Sequence, residues 1–176
     1  MVTGMVTTKQ RPPTEAEVWS RLEAVMDPEI PVISVVDLGI IRDVAWGEGE
    51  LTVVVTPTYS GCPAIQVIEE SISDAVRDLG VENFRLETRL SPAWTTDWLS
   101  ERGRERLRDY GIAPPACRAE QVIDISRIMH RREKVIACSH CGSSATEPVS
   151  QFGSTPCKAL YRCQACLEPF DYFKEH

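Results

Sequence analysis

Two cysteine pairs carry the clearest chemistry in this sequence. Cys138-Ser139-His140-Cys141 and Cys163-Gln164-Ala165-Cys166 are both CxxC, with 21 residues between Cys141 and Cys163. Two residues between thiols let both sulfurs converge on one ion while the amides of the turn point at them, and Gly142 supplies the conformational freedom such a knuckle needs. The pattern predicts a tetrathiolate site of the zinc-ribbon type, and the same four donors would also hold a single iron. Four thiolates on Zn²⁺ leave about −2 at the site, which Lys158 or Arg162 would partly offset. Four protein ligands leave no open position on the ion, which argues against hydrolytic metal catalysis there. Cys157 stands outside the two pairs as a spare thiol or an alternative ligand. His140 and His176 read as exposed, and His130 has no evident role.

A second candidate is a lone thiol. Cys62 sits in Thr56-Pro57-Thr58-Tyr59-Ser60-Gly61-Cys62-Pro63-Ala64, between a strand-like and a helix-like segment. Pro63 suits a first helical turn, which puts Cys62 at about the N-cap, where free amides and the helix dipole would lower a thiol pKa. Thr56, Thr58 and Ser60 offer hydroxyls around the sulfur, and Asp37 of Asp37-Leu38-Gly39 falls on the same rim. Three readings stand open: an inert core thiol, a thiol that handles a metal or cluster, and a nucleophile. A nucleophile wants a neighbouring base, and none of the three histidines lies in this half of the chain. One thiolate with one carboxylate suits transient iron better than acyl transfer.

The elements that must position these groups are readable from periodicity. Thr14-Glu15-Ala16-Glu17 is a capping box, followed by Val18, Leu22, Val25 and Met26 at helical spacing, and Pro28 and Pro31 then force an extended passage. Ile40 to Trp46 and Leu51 to Val55, separated by Gly47-Glu48-Gly49-Glu50, read as a β-hairpin. Ile65, Ile68, Ile72, Val76 and Leu79 form a helical stripe closed by Gly80, and Phe84 to Leu90 alternates as a third strand. The order is α-β-β-α-β, an α+β layer with a parallel crossover between its second and third strands. Thr96 is expected to cap a further helix through Leu99 and Leu107 to Tyr110, weakened by Gly103 and ended by Gly111. Trp94 and Trp98 are expected to pack on the sheet. Arg102, Arg104, Arg106 and Arg108 read either as a solvated face with local ion pairs or as a docking surface for an acidic partner. Ala113-Pro114-Pro115-Ala116 opens a linker. The predicted division is an α+β domain over 14–112, a linker over 113–134 and a small zinc-ribbon-like β module over 135–176, with Val149 to Phe152 and Pro169 to Phe173 as its strands.

Composition narrows the function. The chain has 176 residues, with 19 Lys and Arg against 26 Asp and Glu, for a net charge of −7. That balance argues against nucleic acid as a partner. No apolar run is long enough for a membrane span, and Met1 to Pro13 lacks a signal-peptide core, so a soluble cytoplasmic protein is expected. Seven cysteines, five of them in the last 39 residues, point to a reducing compartment where thiols bind metals or react. An outer strand (Ile40 to Trp46 or Phe84 to Leu90) leaves a homodimer open.

Asp27-Pro28-Glu29-Ile30-Pro31, then Val36-Asp37-Leu38-Gly39-Ile40-Ile41, then Thr58-Tyr59-Ser60-Gly61-Cys62-Pro63 resemble the signature of the SufT/MIP18-like iron–sulfur assembly family. Ser91-Pro92-Ala93-Trp94-Thr95-Thr96-Asp97-Trp98 and the tail Phe152-Gly153-Ser154-Thr155-Pro156-Cys157-Lys158-Ala159-Leu160-Tyr161-Arg162-Cys163 resemble its PaaD subgroup, of bacterial phenylacetate degradation. The resemblance covers roughly residues 14–173. It implies an accessory role with phenylacetyl-CoA epoxidase, which joins a diiron oxygenase to a reductase carrying a [2Fe–2S] cluster and flavin. In such proteins the Cys of the GCP turn is the functional thiol and the Asp of the DLG turn lies near it, here Cys62 and Asp37, with Thr58 on the approach. The function this implies is non-catalytic maturation of an iron or iron–sulfur centre of the epoxidase, with iron or a cluster held transiently at Cys62. A structural adaptor subunit is the alternative.

Overall fold

A computed structural model describes residues 11–115 and 135–175. Most of the expected linker, together with His130 and His176, lies outside the described residues. Helix α1 (Glu15–Leu22) starts on the capping box, with the Glu17 N–H donating to Thr14 Oγ1 at 3.3 Å and the Thr14 N–H donating to Glu17 Oε2 at 2.6 Å. It ends a turn before the spacing of Val25 and Met26 suggests, because the chain turns out at Met26 to bridge Ser34. Asp27 then accepts from the N–H groups of Glu29 (2.9 Å) and Ile30 (2.8 Å), so the DPE stretch is a side-chain-capped turn.

Strands β1 (Ile41–Gly47) and β2 (Glu50–Val55) pair antiparallel through Glu48 (φ 50°) and Gly49 (φ 83°), a two-residue turn with both φ positive that matches the twist of the strands. Helix α2 (Ile65–Asp78) crosses over to β3 (Phe84–Thr88), which pairs parallel with β2, giving the order β1-β2-β3. The expected α-β-β-α-β order is the observed one, although β3 stops short of Leu90, which is exposed. Central β2 contributes Leu51, Val53 and Val55 to a core shared with Val18 and Leu22 of α1 and Ile68, Ile72 and Val76 of α2, all buried.

The connector differs from expectation. Thr96 opens only a single 3-10 turn (Thr96–Trp98), and helix α3 (Glu101–Asp109) is capped instead by Ser100, whose Oγ accepts the Gly103 N–H at 2.9 Å. Gly103 is a close-approach residue: a Cβ there would stand 3.1 Å from the Asp37 carbonyl oxygen and 3.0 Å from Ile33 Cδ1. Trp94 is buried, donating from Nε1 to the Leu38 carbonyl at 2.8 Å.

Strand β4 (Ile112–Ala113) follows α3 and joins a second sheet of order β4-β7-β6-β5, built from β5 (Thr146–Ser150), β6 (Lys158–Cys163) and β7 (Pro169–Phe173). The second strand of this module, β6, is not among the expected pieces; it carries Cys163 and pairs with both neighbours. Residues on either side of the linker thus share one sheet, with Ile112 paired to Asp171 and Ala113 to Tyr172 in parallel. Phe173 meets the Trp94 ring edge-on at 6.1 Å, and Phe173, Ile112 and Cys157 complete the core of the first sheet. No described helix is long and apolar enough to cross a membrane.

Gly39 offers a direct test of this junction. Its φ is +71°, and a Cβ would lie 2.5 Å from the Trp98 carbonyl oxygen. Left-handed backbone alone costs a side chain about 1–2 kcal/mol. Gly39→Ala should therefore lower stability by at least about 2 kcal/mol once the clash is added, read as a lower urea midpoint at unchanged m-value.

Candidate functional site

The four paired cysteines converge. The sulfurs of Cys138, Cys141, Cys163 and Cys166 all lie within 4.8 Å of one another, with Cys138 to Cys166 at 3.8 Å and Cys141 to Cys163 at 3.6 Å. A tetrahedral ion with metal–sulfur bonds of about 2.3 Å needs sulfurs about 3.8 Å apart, so the set fits a single tetrathiolate ion. Local turns produce the convergence. Gly142, at φ 72°, donates its N–H to the Cys138 carbonyl, while Leu167 at φ 67° closes the second knuckle. The Cys166 and Ala165 amides, aimed at its sulfur, draw the Cys163 thiol down to about 6. His140 stays outside the set, its Nε2 near the Pro169 carbonyl. Lys158 does not offset the thiolates as expected: it lies at the other end of β6, buried and 3.5 Å from Asp171. Cys157 lies outside the tetrathiolate set as well.

Cys62 is placed differently from expectation in two respects. Helix α2 begins at Ile65 with Ala64 as its N-cap, so Cys62 lies in the turn before the helix, half-buried. Burial pushes its thiol up, the charges of Glu29 and Asp27 push the same way, and the Ala64 and Ile65 amides oppose them only in part. The resting group is a protonated thiol, not the stabilised thiolate that an N-cap position would give. Thr56 and Thr58, upstream in the same loop, are buried.

Asp37 is the other surprise. Its side chain is only 2 % exposed, and its carboxylate is engaged by α3: Ser100 Oγ donates at 2.7 Å, Arg102 Nε at 2.9 Å and Arg106 Nη1 at 3.4 Å. Burial alone would push this carboxyl up, but the Ser100 hydroxyl and the Arg102 guanidinium hold it below its ordinary value. The carboxylate charges that act most on Cys62 are those of Glu29 and Asp27, and Asp37 acts as an anchor for the connector. The arginine-rich stretch is in part the expected solvated face with ion pairs, since Glu101, Arg102, Glu105, Arg108 and Asp109 are exposed, but it also reaches inward. Arg102 and Arg106 hold Asp37, while Arg104 is buried and donates to the Thr96 and Pro115 carbonyls; at the surface Arg102 also pairs with Glu23 at 3.4 Å, and Arg108 lies 4.0 Å from Glu101.

Sequence reasoning missed that Cys157 meets Glu29, whose charge also acts on Cys62. The Cys157 thiol points at Glu29 Oε2 across 3.9 Å, and Thr155 Oγ1 lies 3.0 Å from its sulfur. Burial, Glu29 and Asp27 push this second thiol up too. The turn made by Asp27 was the available signal, since it fixes where Glu29 must point.

Residues 15–83 match the iron–sulfur cluster assembly protein family, and residues 124–174 match the PaaD zinc beta ribbon domain. A protein of Escherichia coli (strain K12), provisionally named as a component of 1,2-phenylacetyl-CoA epoxidase, is 46% identical over 167 residues, covering 93% of this chain and 94% of its own. The chain belongs to the PaaD family. An Fe-S protein maturation auxiliary factor of Porphyromonas gingivalis (strain ATCC BAA-308 / W83) is 39% identical over 90 residues, 50% of this PaaD-family chain and 85% of its own. Among solved structures, a conserved hypothetical protein from Thermotoga maritima aligns with TM-score 0.49 and 28% identity, over 56% of this chain and 97% of its own.

Two outcomes follow from this geometry. Chelating the metal, or Cys138→Ser, should unfold the second sheet, because binding to small thiolate sites carries about 10–16 kcal/mol of folding free energy. Near-ultraviolet circular dichroism from Tyr161, Phe170 and Tyr172 should collapse while the helical signal of α1 and α2 persists. Asp37 sets an acid limb. Its carboxyl titrates lower folded than unfolded, so its stabilisation is complete above the ordinary value of about 3.9 and is lost as pH falls through the lowered folded value. Asp37→Asn should cost roughly 1–2 kcal/mol at pH 7, since its arginine partners are half exposed, and should flatten that part of the stability–pH curve measured by urea titration.

Proposed function

We propose that this chain is an accessory factor of phenylacetyl-CoA epoxidase that assists maturation of an iron or iron–sulfur centre of that enzyme. The Cys62 thiol holds the iron or cluster in transit, and the ribbon holds zinc permanently. The observation that carries this reading is the setting of Cys62, a half-exposed thiol on the loop between β2 and α2 in the field of the carboxylates of Glu29 and Asp27. Thiol and carboxylate donors suit iron. Among the described residues the one histidine, His140, stands at the ribbon knuckle, which leaves Cys62 without an imidazole base and speaks for binding over covalent catalysis. Relatives named for iron–sulfur protein maturation and for an epoxidase component support the same assignment.

A protonated resting thiol fits a carrier. Metal binding expels the proton, so the sulfur is a neutral thiol when empty and a thiolate only when a cation is bound to it. The tetrathiolate, with every position filled by protein, keeps its ion and shapes the module. Asp37 contributes by fixing α3, and Thr58 is buried in the loop that carries the thiol.

Epoxidase produced together with the Cys62→Ser chain should contain less iron, with activity lowered in proportion, while the chain itself keeps its zinc and its fold. Unchanged iron and activity would overturn the maturation role. In that case stoichiometric co-purification with the enzyme would identify an adaptor, for which the exposed Val149 and Phe152 of the ribbon supply a contact surface.

A further inference from the structure

We propose that Cys62, Cys157 and Glu29 form a second ion site, built across the junction of the two modules, for a thiophilic divalent cation such as iron(II). This deepens the maturation reading and rests on it. Cys157 comes from the ribbon yet is buried in the core of the first sheet, where Tyr59 and Cys62 pack against the same cluster. Its thiol faces Glu29 Oε2 at 3.9 Å. Glu29 is held by the Asp27 turn, which accepts its N–H at 2.9 Å. The three donors are therefore delivered by three separate segments: the turn before β1, the loop before α2 and the start of β6. The Tyr59 hydroxyl, itself buried, lies in the field of Cys62, Glu29 and Cys157 together, and Glu29 and Asp27 act on both thiols.

Two sulfurs and one carboxylate oxygen are donors for iron, cobalt or zinc and poor ones for magnesium or calcium. Loading breaks two S–H bonds, forms two metal–sulfur bonds and sends two protons to solvent, with no electron moved. Two thiolates and a carboxylate around a dication leave a charge of about −1, and Lys158 beside Asp27 adds a compensating positive charge. Three protein ligands leave a fourth position open. An ion there can be approached by a recipient's ligand, unlike the ion enclosed by the ribbon. Among the described residues only the ribbon cysteines already stand as a group of three or more donors within 4.8 Å of one another, and of the second site Cys157 and Glu29 are the pair in reach, at 3.9 Å. The second site closes on its ion by side-chain movement, as suits a site that must also let go.

The test is anaerobic titration of the full chain, carrying one equivalent of zinc, with cobalt(II). Zinc outcompetes cobalt for the tetrathiolate, so new sulfur-to-cobalt charge-transfer absorption reports the second site. The wild-type chain should bind one cobalt and release about two protons. Loss of even an outer-shell partner weakens metal sites about 10- to 100-fold. Cys157→Ala and Cys157→Ser should therefore weaken binding at least about tenfold and halve the absorption per cobalt, and Glu29→Gln should weaken binding with the absorption retained. Absorption and affinity unchanged in both Cys157 variants, but abolished by Cys62→Ser, would overturn the composite site and leave the maturation role of Cys62 standing. No cobalt absorption in the wild-type chain would also overturn the site, while the iron content of the epoxidase would still decide the maturation role. If the Cys157 variants fail to hold zinc, Glu29→Gln decides, and an unchanged cobalt affinity there overturns the proposal.

Discussion

The buried carboxylate of Asp37 is the constraint on which the arrangement of the two modules depends. A charge taken out of water must be matched by donors, and Ser100, Arg102 and Arg106 supply them. All three belong to α3 or its cap. Satisfying one acid of the first domain therefore fixes the helix that follows it, and Gly103 and Gly39 provide the clearance that lets helix and turn touch. From the end of α3 the chain runs directly into β4, which pairs with β7. The orientation of the ribbon is thereby set by an ion-pair network anchored far earlier in the sequence. Phe173 against Trp94 and Cys157 beside Glu29 are results of that docking.

The two sulfur sites differ as the roles proposed for them require. In the ribbon, short turns force four sulfurs together and aim the Ala165 and Cys166 amides at the Cys163 sulfur. Around Cys62 the turn precedes the helix, acids crowd the thiol, and burial favours the protonated form. One arrangement commits to its ion; the other favours being empty. Both follow from where amide N–H groups and carboxylates point, with no difference in the reacting atom.

Much of this is legible in the residues. The capping box, the Glu48-Gly49 turn, the stripe of α2 and the two CxxC pairs are local signals, each decided within a few residues of itself, and each appears at its expected place. The misplaced features are non-local. Nothing near Arg104 says that it will reach the Thr96 and Pro115 carbonyls, so a run of alternating charge reads as surface. Gly103 reads as a helix defect because its reason is a contact with Asp37, far away in sequence. Asp37 and Cys62 both fall on loops at strand ends, and topology alone assigns them to one rim. What neither loop announces is that the Asp37 carboxylate is engaged by three donors from α3 and its cap. Cys157 looks spare because its neighbours in space come from residues 27–62.

The raised pKa values of Cys62 and Cys157 have one more consequence. Peroxide and other oxidants attack the thiolate form, and the neutral thiol is the slow-reacting species. As thiolates, either sulfur would be open to the oxidation ladder. Keeping them neutral protects the chain in air, and only the arrival of a cation strong enough to displace hydrogen makes them reactive.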